Sequence, residues 1–598
     1  MKAWHVATRS AMHVILTSCI LLAALALLGM LMMPQWTPEP YTDHINVATG
    51  DTAIASAVAT TDHEGAYRTR TRDITIRLDD GGSVRAVLRE PIDAPGQRPA
   101  CLFIHGSGTG SADDFGDIAN AMSSAGIITL VPAKRTTDYT PFHRDYQRFA
   151  LDYGTALDLL KMIPGVDAAH TGLYAESEGT WISMLMTQRR PDVAFSILSS
   201  APVYKGREQM AMAASAYMRQ VGAPKPVVKD IAKLMSLDYA PFDLHYADFD
   251  ADDARDSLTM PVLVNYGIHD TAMPIEQGAR TIIDDAASHG NRNVTVRYYD
   301  ANHQMRAGTG LFTPGLPLAD GYTHALSDWV NAVAAGTDAD GWATPRIAGA
   351  QPRQQYTVPQ HTESGIIGSL GILVAITILS LACFATTIAG GLFFLLAEAA
   401  RRRRFARARA NGYGTRGHGG DARGDGGNGV TGGRFPAVDR RRRRAHGTNG
   451  AGANGANAAW PGTSRAYVRN VGYSRPLATM LAIGVTAATL MLLALAAYIA
   501  YAGVAALYEW CSPAALGYGF DVLRVGGVIC VTLCAWLIVR LAYAWRLRRA
   551  YLTHGIYPTA GLHSTWLVGR WHWIVAMLAL AGMLLALVVM AFWGLFTP

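Results

Sequence analysis

The sequence predicts an α/β domain with an eight-stranded, mostly parallel sheet and a helical cap, joined to one N-terminal and four later membrane-spanning helices. Three observations predict it. Between residues 73 and 340, short apolar runs alternate with amphipathic stretches in β-then-α order. One connection, 201–259, is far longer than an ordinary strand-to-helix link. Five apolar runs, at 14–33, 366–397, 476–507, 525–545 and 571–596, are long enough to cross a hydrocarbon core.

The first run follows Lys2 and Arg9, and no Ala-x-Ala cleavage site succeeds it, so residues 1–36 read as an uncleaved signal anchor. Residues 37–72 then form a linker. Strands at 73–78 and 83–90 flank the turn Asp79-Asp80-Gly81-Gly82 and predict an antiparallel hairpin. Further strands are expected at 100–105, 127–132, 171–175, 195–199, 262–266 and 294–299, with helices at 146–163, 179–188 and 275–288. The cap covers about 204–259 and contains helical pieces at 207–221 and 227–237. Its Met210, Met212, Tyr217 and Met218 have two readings, an apolar acyl pocket or packing of the cap on the sheet. After a linker at 341–364 come a membrane helix at 365–400, a loop at 401–475 and three helices within 476–598.

The chain of 598 residues carries a formal charge of +6. Its arginines cluster beside the apolar runs, at 401–404, 440–444 and 546–549. That placement is topological. With the N-terminus inside, five crossings put 401–475 and 546–570 in the cytoplasm, and 36–364 and the short 508–524 loop outside. The expected location is the cell membrane, multi-pass, with the α/β domain outside the cytoplasm. Arg540, inside the fourth run, can snorkel to the headgroups near Arg546. Trp571 and Trp573 at one end of the last run and Trp593 at the other suit interfacial anchoring. The Gly/Asn/Arg composition of the 401–475 loop predicts disorder and contact with anionic lipid. It lacks the interleaved aromatics of a nucleic-acid surface, and no nucleic-acid partner is expected. Of six cysteines only Cys101 falls in the soluble domain, so no disulfide is possible there. No His/Cys spacing suits a metal, and no cofactor is expected.

The segment Gly172-Leu-Tyr-Ala-Glu-Ser-Glu-Gly-Thr180 puts Ser177 between a strand and a helix. A nucleophile elbow needs small residues two positions to either side of the serine, because the turn is tight. Ala175 and Gly179 satisfy this. An acid and a histidine follow in the required chain order: Asp270 in Gly267-Ile-His-Asp-Thr-Ala-Met-Pro274, and His303 in Asp300-Ala-Asn-His-Gln304. Asp300, Asp252 and Asp253 compete for the acid's role, and position after a strand favours Asp270. His143 and His269 read as surface or rim residues. Glu176 and Glu178, flanking the serine, could face a cationic substrate group, and solvated side chains are the favoured reading.

A fourth element, Leu102-Phe-Ile-His-Gly-Ser-Gly108, resembles the His-Gly oxyanion loop of the α/β-hydrolase superfamily. With these motifs, less than half the chain resembles that superfamily, near its dienelactone-hydrolase-like, acyl-peptide-hydrolase-like and bile-acid-acyltransferase-like branches. The resemblance implies hydrolysis of an ester, thioester or amide, or acyl transfer. In it Ser177 is the nucleophile, His303 the base and Asp270 the orienting acid. The backbone N–H groups of Ser107 and Glu178 would bind the oxyanion. His105 would orient the loop. The favoured reading is a serine hydrolase of carboxylic esters acting on a small-molecule or lipid acyl substrate, in an oligomeric state the sequence leaves open. Its rivals are a lipid-fed acyltransferase, a peptidase and a non-enzymatic membrane scaffold.

Overall fold

The computed structural model describes residues 2–34, 36–108, 110–140, 143–310, 313, 315–413, 472–508, 513–554 and 569–597. Cys511, the arginines at 440–444 and most of the 401–475 loop lie outside them. The chain divides into two compact units. One comprises Met1–Leu381, Ile483–Val539 and Gly582–Pro598, the other Ala382–Ala482 and Arg540–Ala581.

The first unit holds one sheet of nine strands: β1 (Thr69–Arg77), β2 (Ser83–Pro91), β3 (Arg98–Ile104), β4 (Ile128–Pro132), β5 (Val166–Glu176), β6 (Ser196–Ser199), β7 (Val262–Gly267), β8 (Val294–Tyr299) and β9 (Ile347–Gly349). Their spatial order is 1-2-4-3-5-6-7-8-9. Only the β1–β2 and β2–β4 pairs are antiparallel. The expectation of eight strands is corrected to nine. β9 is three residues long, too short to show an apolar period, and forms only because β8 offers it an open edge. β1 also starts earlier than expected, at Thr69 instead of 73. Its first residues alternate threonine and arginine, and pairing with β2 holds them in the ladder.

Parallel strands covered on both faces are mostly apolar, and every residue of β7 and β8 is buried, the polar Asn265, Thr295 and Arg297 included. Alternate side chains enter opposite layers. Leu102 and Val264 meet α3 (Tyr146–Lys161), α4 (Glu178–Arg189) and α8 (Gln277–Ser288). Phe103 and Ile197 meet α2 (Gly116–Ser124) and α9 (Tyr322–Ala334).

The segments read as linkers pack along the domain. Tyr41, Ile45 and Ile54 are buried, and isolated bridges join Pro40 to Tyr356 and Ser56 to Trp342. Arg297 of β8, wholly buried, fastens both segments. Its guanidinium donates to the carbonyls of Thr52 (3.1 Å), Ala53 (3.2 Å) and Pro345 (3.1 Å). Substitution Arg297→Met removes these charge-assisted bonds between the two segments and β8 and is expected to cost about 3 kcal/mol. Differential scanning fluorimetry would read this as a drop of several degrees in the melting midpoint, and an unchanged midpoint would refute it.

Between β6 and β7 lies the cap, with α5 (Gly206–Gln220), α6 (Lys225–Met235) and the short α7 (Asp252–Arg255). Helix α6 buries an ion pair, Lys233 Nζ to Asp230 Oδ1 at 2.8 Å, and Lys233 also donates to the carbonyl of Phe592 at 2.6 Å. Phe592 ends the last apolar helix, Arg570–Phe592. Trp593 is buried and lines one small cavity with Val227 and Ile231 of α6, instead of standing exposed in an aromatic belt.

Among the described residues, five helices are long and apolar enough to span a membrane: Ser10–Leu31, Leu370–Arg404, Arg475–Ala506, Pro513–Arg546 and Arg570–Phe592. The fourth begins before the expected boundary. Residues 513–524, read as loop, are helical, with Pro513 as the first helical residue, where its fixed φ suits a helix start. In the second unit the Phe394 ring stacks on His572, with centroids 3.9 Å apart.

Candidate active site

The carboxyl ends of β5, β7 and β8 bring Ser177, Asp270 and His303 together. Ser177 follows β5 and caps α4 with φ 52° and ψ −125°, a strained backbone for a residue with a Cβ. The turn tolerates this because neighbouring positions are small. A Cβ on Gly179 would sit 2.6 Å from the carbonyl oxygen of Ile104 and 2.7 Å from that of His105. The backbone N–H of Ser177 donates to Ser199 at the end of β6, at 2.9 Å. Ser177, half-buried, presents its Oγ at the carboxyl edge of the sheet, 2.9 Å from His303 Nε2.

His303 Nδ1 lies 2.8 Å from Asp270 Oδ2. A carboxylate only accepts, so Nδ1 carries the proton and Nε2 is the acceptor for the serine hydroxyl. The other oxygen of Asp270 accepts from the backbone of Ala272 at 3.0 Å. The loop bearing His303 is pinned by Ser200, whose hydroxyl donates to the carbonyl of His303 at 2.6 Å. Asn302 Oδ1 adds acceptor bonds from the Gln304 and Arg306 amides, at 2.9 and 3.0 Å. Burial opposes charge on His303, but Asp270, its hydrogen bond and Glu176 outweigh it and raise the pKa above the ordinary 6.5.

The competing acids lie elsewhere. Asp300 is exposed and pairs with His269 at 2.6 Å, and Asp252 pairs with Arg255. His143, exposed, pairs with Asp243 at 2.7 Å. His105 is buried, its Nε2 2.9 Å from the carbonyl of Pro132, and its ring stacks on Phe115. Burial pushes its pKa down to about 4, so it stays neutral and suits loop support better than proton transfer.

The reading of Glu176 and Glu178 as solvated is corrected, because both are buried. Glu178 Oε2 lies 2.8 Å from Lys134 Nζ and 3.1 Å from Tyr139 Oη. Its Oε1 lies 2.7 Å from Arg144 and 2.8 Å from Tyr146 Oη. Burial would raise its pKa, but the two cations outweigh that and lower it. Glu176 lies 3.5 Å from Tyr174 Oη, and burial pushes its pKa up to about 7. The donors around Glu178 are 32 to 44 residues away in sequence, and no local pattern announces them.

Ser177 and His303 open on a cavity of about 700 Å³ that Ser107, Phe115, Tyr217 and Met273 also line. That volume suits a small organic ligand. Glu178 opens α4, so its N–H is a first-turn donor without an intrahelical acceptor, next to the serine. Gly106 brings the loop bearing Ser107 against the elbow, since a Cβ there would lie 3.2 Å from that of Ser177. Of the four cap residues considered for an acyl pocket, only Tyr217 reaches this cavity. Met212 lines a separate space of about 120 Å³ behind Asp270, Met218 is buried and Met210 half-buried. Among the described residues, no group of three His, Cys, Asp or Glu side chains could hold a metal ion.

No family model and no curated relative matches the chain. Solved structures that it resembles include one described as a dienelactone hydrolase from Klebsiella pneumoniae subsp. pneumoniae (14% identity, 44% of this chain, 97% of that one, TM-score 0.32). Others are a 2,6-dihydroxy-pseudo-oxynicotine hydrolase (15% identity, 48% and 71%, TM-score 0.31) and a Pyrococcus furiosus esterase (15% identity, 39% and 83%, TM-score 0.30). The chain is thus similar to solved α/β-hydrolase structures over less than half its length.

Proposed function

We propose that this chain is a membrane-anchored serine hydrolase of the α/β-hydrolase type, cleaving a carboxylic ester through an acyl-enzyme, with the α/β domain outside the cytoplasm. The observation that carries the reading is the hydrogen-bonded line from Ser177 Oγ through His303 to Asp270, beside a cavity large enough for substrate. His303 takes the hydroxyl proton as Ser177 attacks the carbonyl carbon. Asp270 holds the imidazole tautomer and stabilises the imidazolium. The amides of Ser107 and Glu178 receive the developing oxyanion, each worth about 3 kcal/mol. His303 returns the proton to the leaving alcohol, and water, activated the same way, releases the acid.

The test is fluorophosphonate labelling of the full chain in membranes, with the adduct located by peptide mass spectrometry. Attachment to Ser177 supports the reading. A chain that stays unlabelled sinks it. A second reading, transfer of the acyl group to an acceptor other than water, is favoured by the packing of cap helix α6 on the end of the last apolar helix.

The acid limb of the pH profile follows from His303, which must be neutral to accept the serine proton. Activity rises with pH as His303 deprotonates, and its raised pKa puts that limb above the ordinary 6.5. Part of the elevation comes from Glu176, so Glu176→Gln is expected to move the limb of kcat/KM to lower pH. A limb that stays put or rises would remove Glu176 from the histidine's electrostatic environment.

A further inference from the structure

The buried cluster around Glu178 has a geometry that a charge pair serving stability alone does not need. Ser107 sits between two glycines, and each of them is tied to the Glu178 carboxylate by one intermediary. On one side, Lys134 Nζ donates to the carbonyl of Gly106 at 2.8 Å and to Glu178 Oε2 at 2.8 Å. On the other, Tyr139 Oη accepts from the N–H of Gly108 at 2.8 Å and lies 3.1 Å from the same Oε2. One proton on Tyr139 satisfies both of its contacts, because it accepts from the amide and donates to the carboxylate. Lys134 also lies over the Tyr139 ring, 4.2 Å from its centroid.

We infer that Lys134 and Tyr139 are positioning residues that hold the Ser107 amide in register with the Glu178 amide, so that both N–H groups meet one oxyanion. The inference rests on the serine-hydrolase reading above. Glu178 is the shared anchor: its amide follows the nucleophile, and its side chain fixes the other loop. The second carboxylate oxygen is closed off by Arg144 and Tyr146, which leaves Oε2 to face Lys134 and Tyr139. Arg144 in turn stacks on Tyr246 of the cap segment, 4.0 Å from the ring centroid, which ties the same anchor to the cap. Neither Lys134 nor Tyr139 lines the cavity with Ser177, so both act through the backbone they hold.

The two variants separate positioning from packing. Tyr139→Phe deletes one hydroxyl and keeps the ring, while Lys134→Met keeps much of the stem and removes the charge. Full-length chain in detergent micelles is titrated with fluorophosphonate, and kcat and KM for a p-nitrophenyl ester are expressed per titrated serine. The expected result is a fall in kcat of about tenfold for Tyr139→Phe and about 100-fold for Lys134→Met, with KM within twofold, because a displacement near 1 Å carries a penalty of that order. Unchanged kcat, or a rise in KM with kcat intact, overturns the inference, and Tyr139→Phe decides it if Lys134→Met does not fold. A wild-type chain with no titratable serine, or labelling that survives in Ser177→Ala, instead overturns the hydrolase reading and the inference with it.

Discussion

Replacing Ser177 by alanine is expected to lower kcat for ester hydrolysis about 10⁶-fold, and His303→Ala by a similar factor. The two losses should not add. Serine and histidine make one nucleophile, since Oγ at 2.9 Å from Nε2 is useless without a proton acceptor, and the imidazole has no task without the hydroxyl. The double variant should therefore match either single one, keeping the residual catalysis that oxyanion donors and substrate binding still supply. Steady-state assays on purified full-length protein, with melting midpoints recorded in parallel, decide the matter. Ser177→Ala with more than a tenth of wild-type kcat would mean that the serine is not the nucleophile. A double variant far slower than both singles would mean that two separate routes operate.

The parts of the site that could be read in the sequence are those whose chemistry imposes local form. The turn at Ser177 excludes bulk at Ala175 and Gly179, so its trace is printed in five consecutive residues. Asp270 and His303 could be found because each follows a short run rich in β-branched and aromatic residues, Val262–Gly267 and Val294–Tyr299, that reads as a strand. The burial of Glu178 could not. It depends on Lys134, Arg144 and Tyr146, which reach it only once α3 has packed on the sheet and β4 has paired with β3, the neighbour of β5, and charged residues next to a turn ordinarily face water. β9 was hidden for a related reason. Ile347, Ala348 and Gly349 have no period of their own and are recruited by the exposed edge of β8. The helical start at 513 did have a signal, in Pro513, but the Gly517, Gly519 and Asp521 that follow outweigh it when a span is sought by hydropathy. The segment 37–68, polar and without periodicity, is held by carbonyl contacts to Arg297 about 245 positions away.

Asp270→Asn is expected to lower kcat about 10⁴-fold, whereas Asp300→Asn changes it less than twofold. The two carboxylates lie within reach of the same stretch of chain, and only their partners separate them. Asp270 is buried and bonds His303 Nδ1 at 2.8 Å, while Asp300 is exposed and engages His269. An asparagine at 270 can present its amide N–H₂ to Nδ1. Nδ1 must then accept, the ring proton moves to Nε2, and the nitrogen facing Ser177 becomes a donor that cannot take the hydroxyl proton. The loss should thus appear in kcat with little change in KM, because substrate binding does not involve Asp270. It should also ease at high pH, where hydroxide or serine ionisation replaces the missing base. A large loss in Asp300→Asn with a mild one in Asp270→Asn would reassign the acid and require the His303 loop to turn before catalysis.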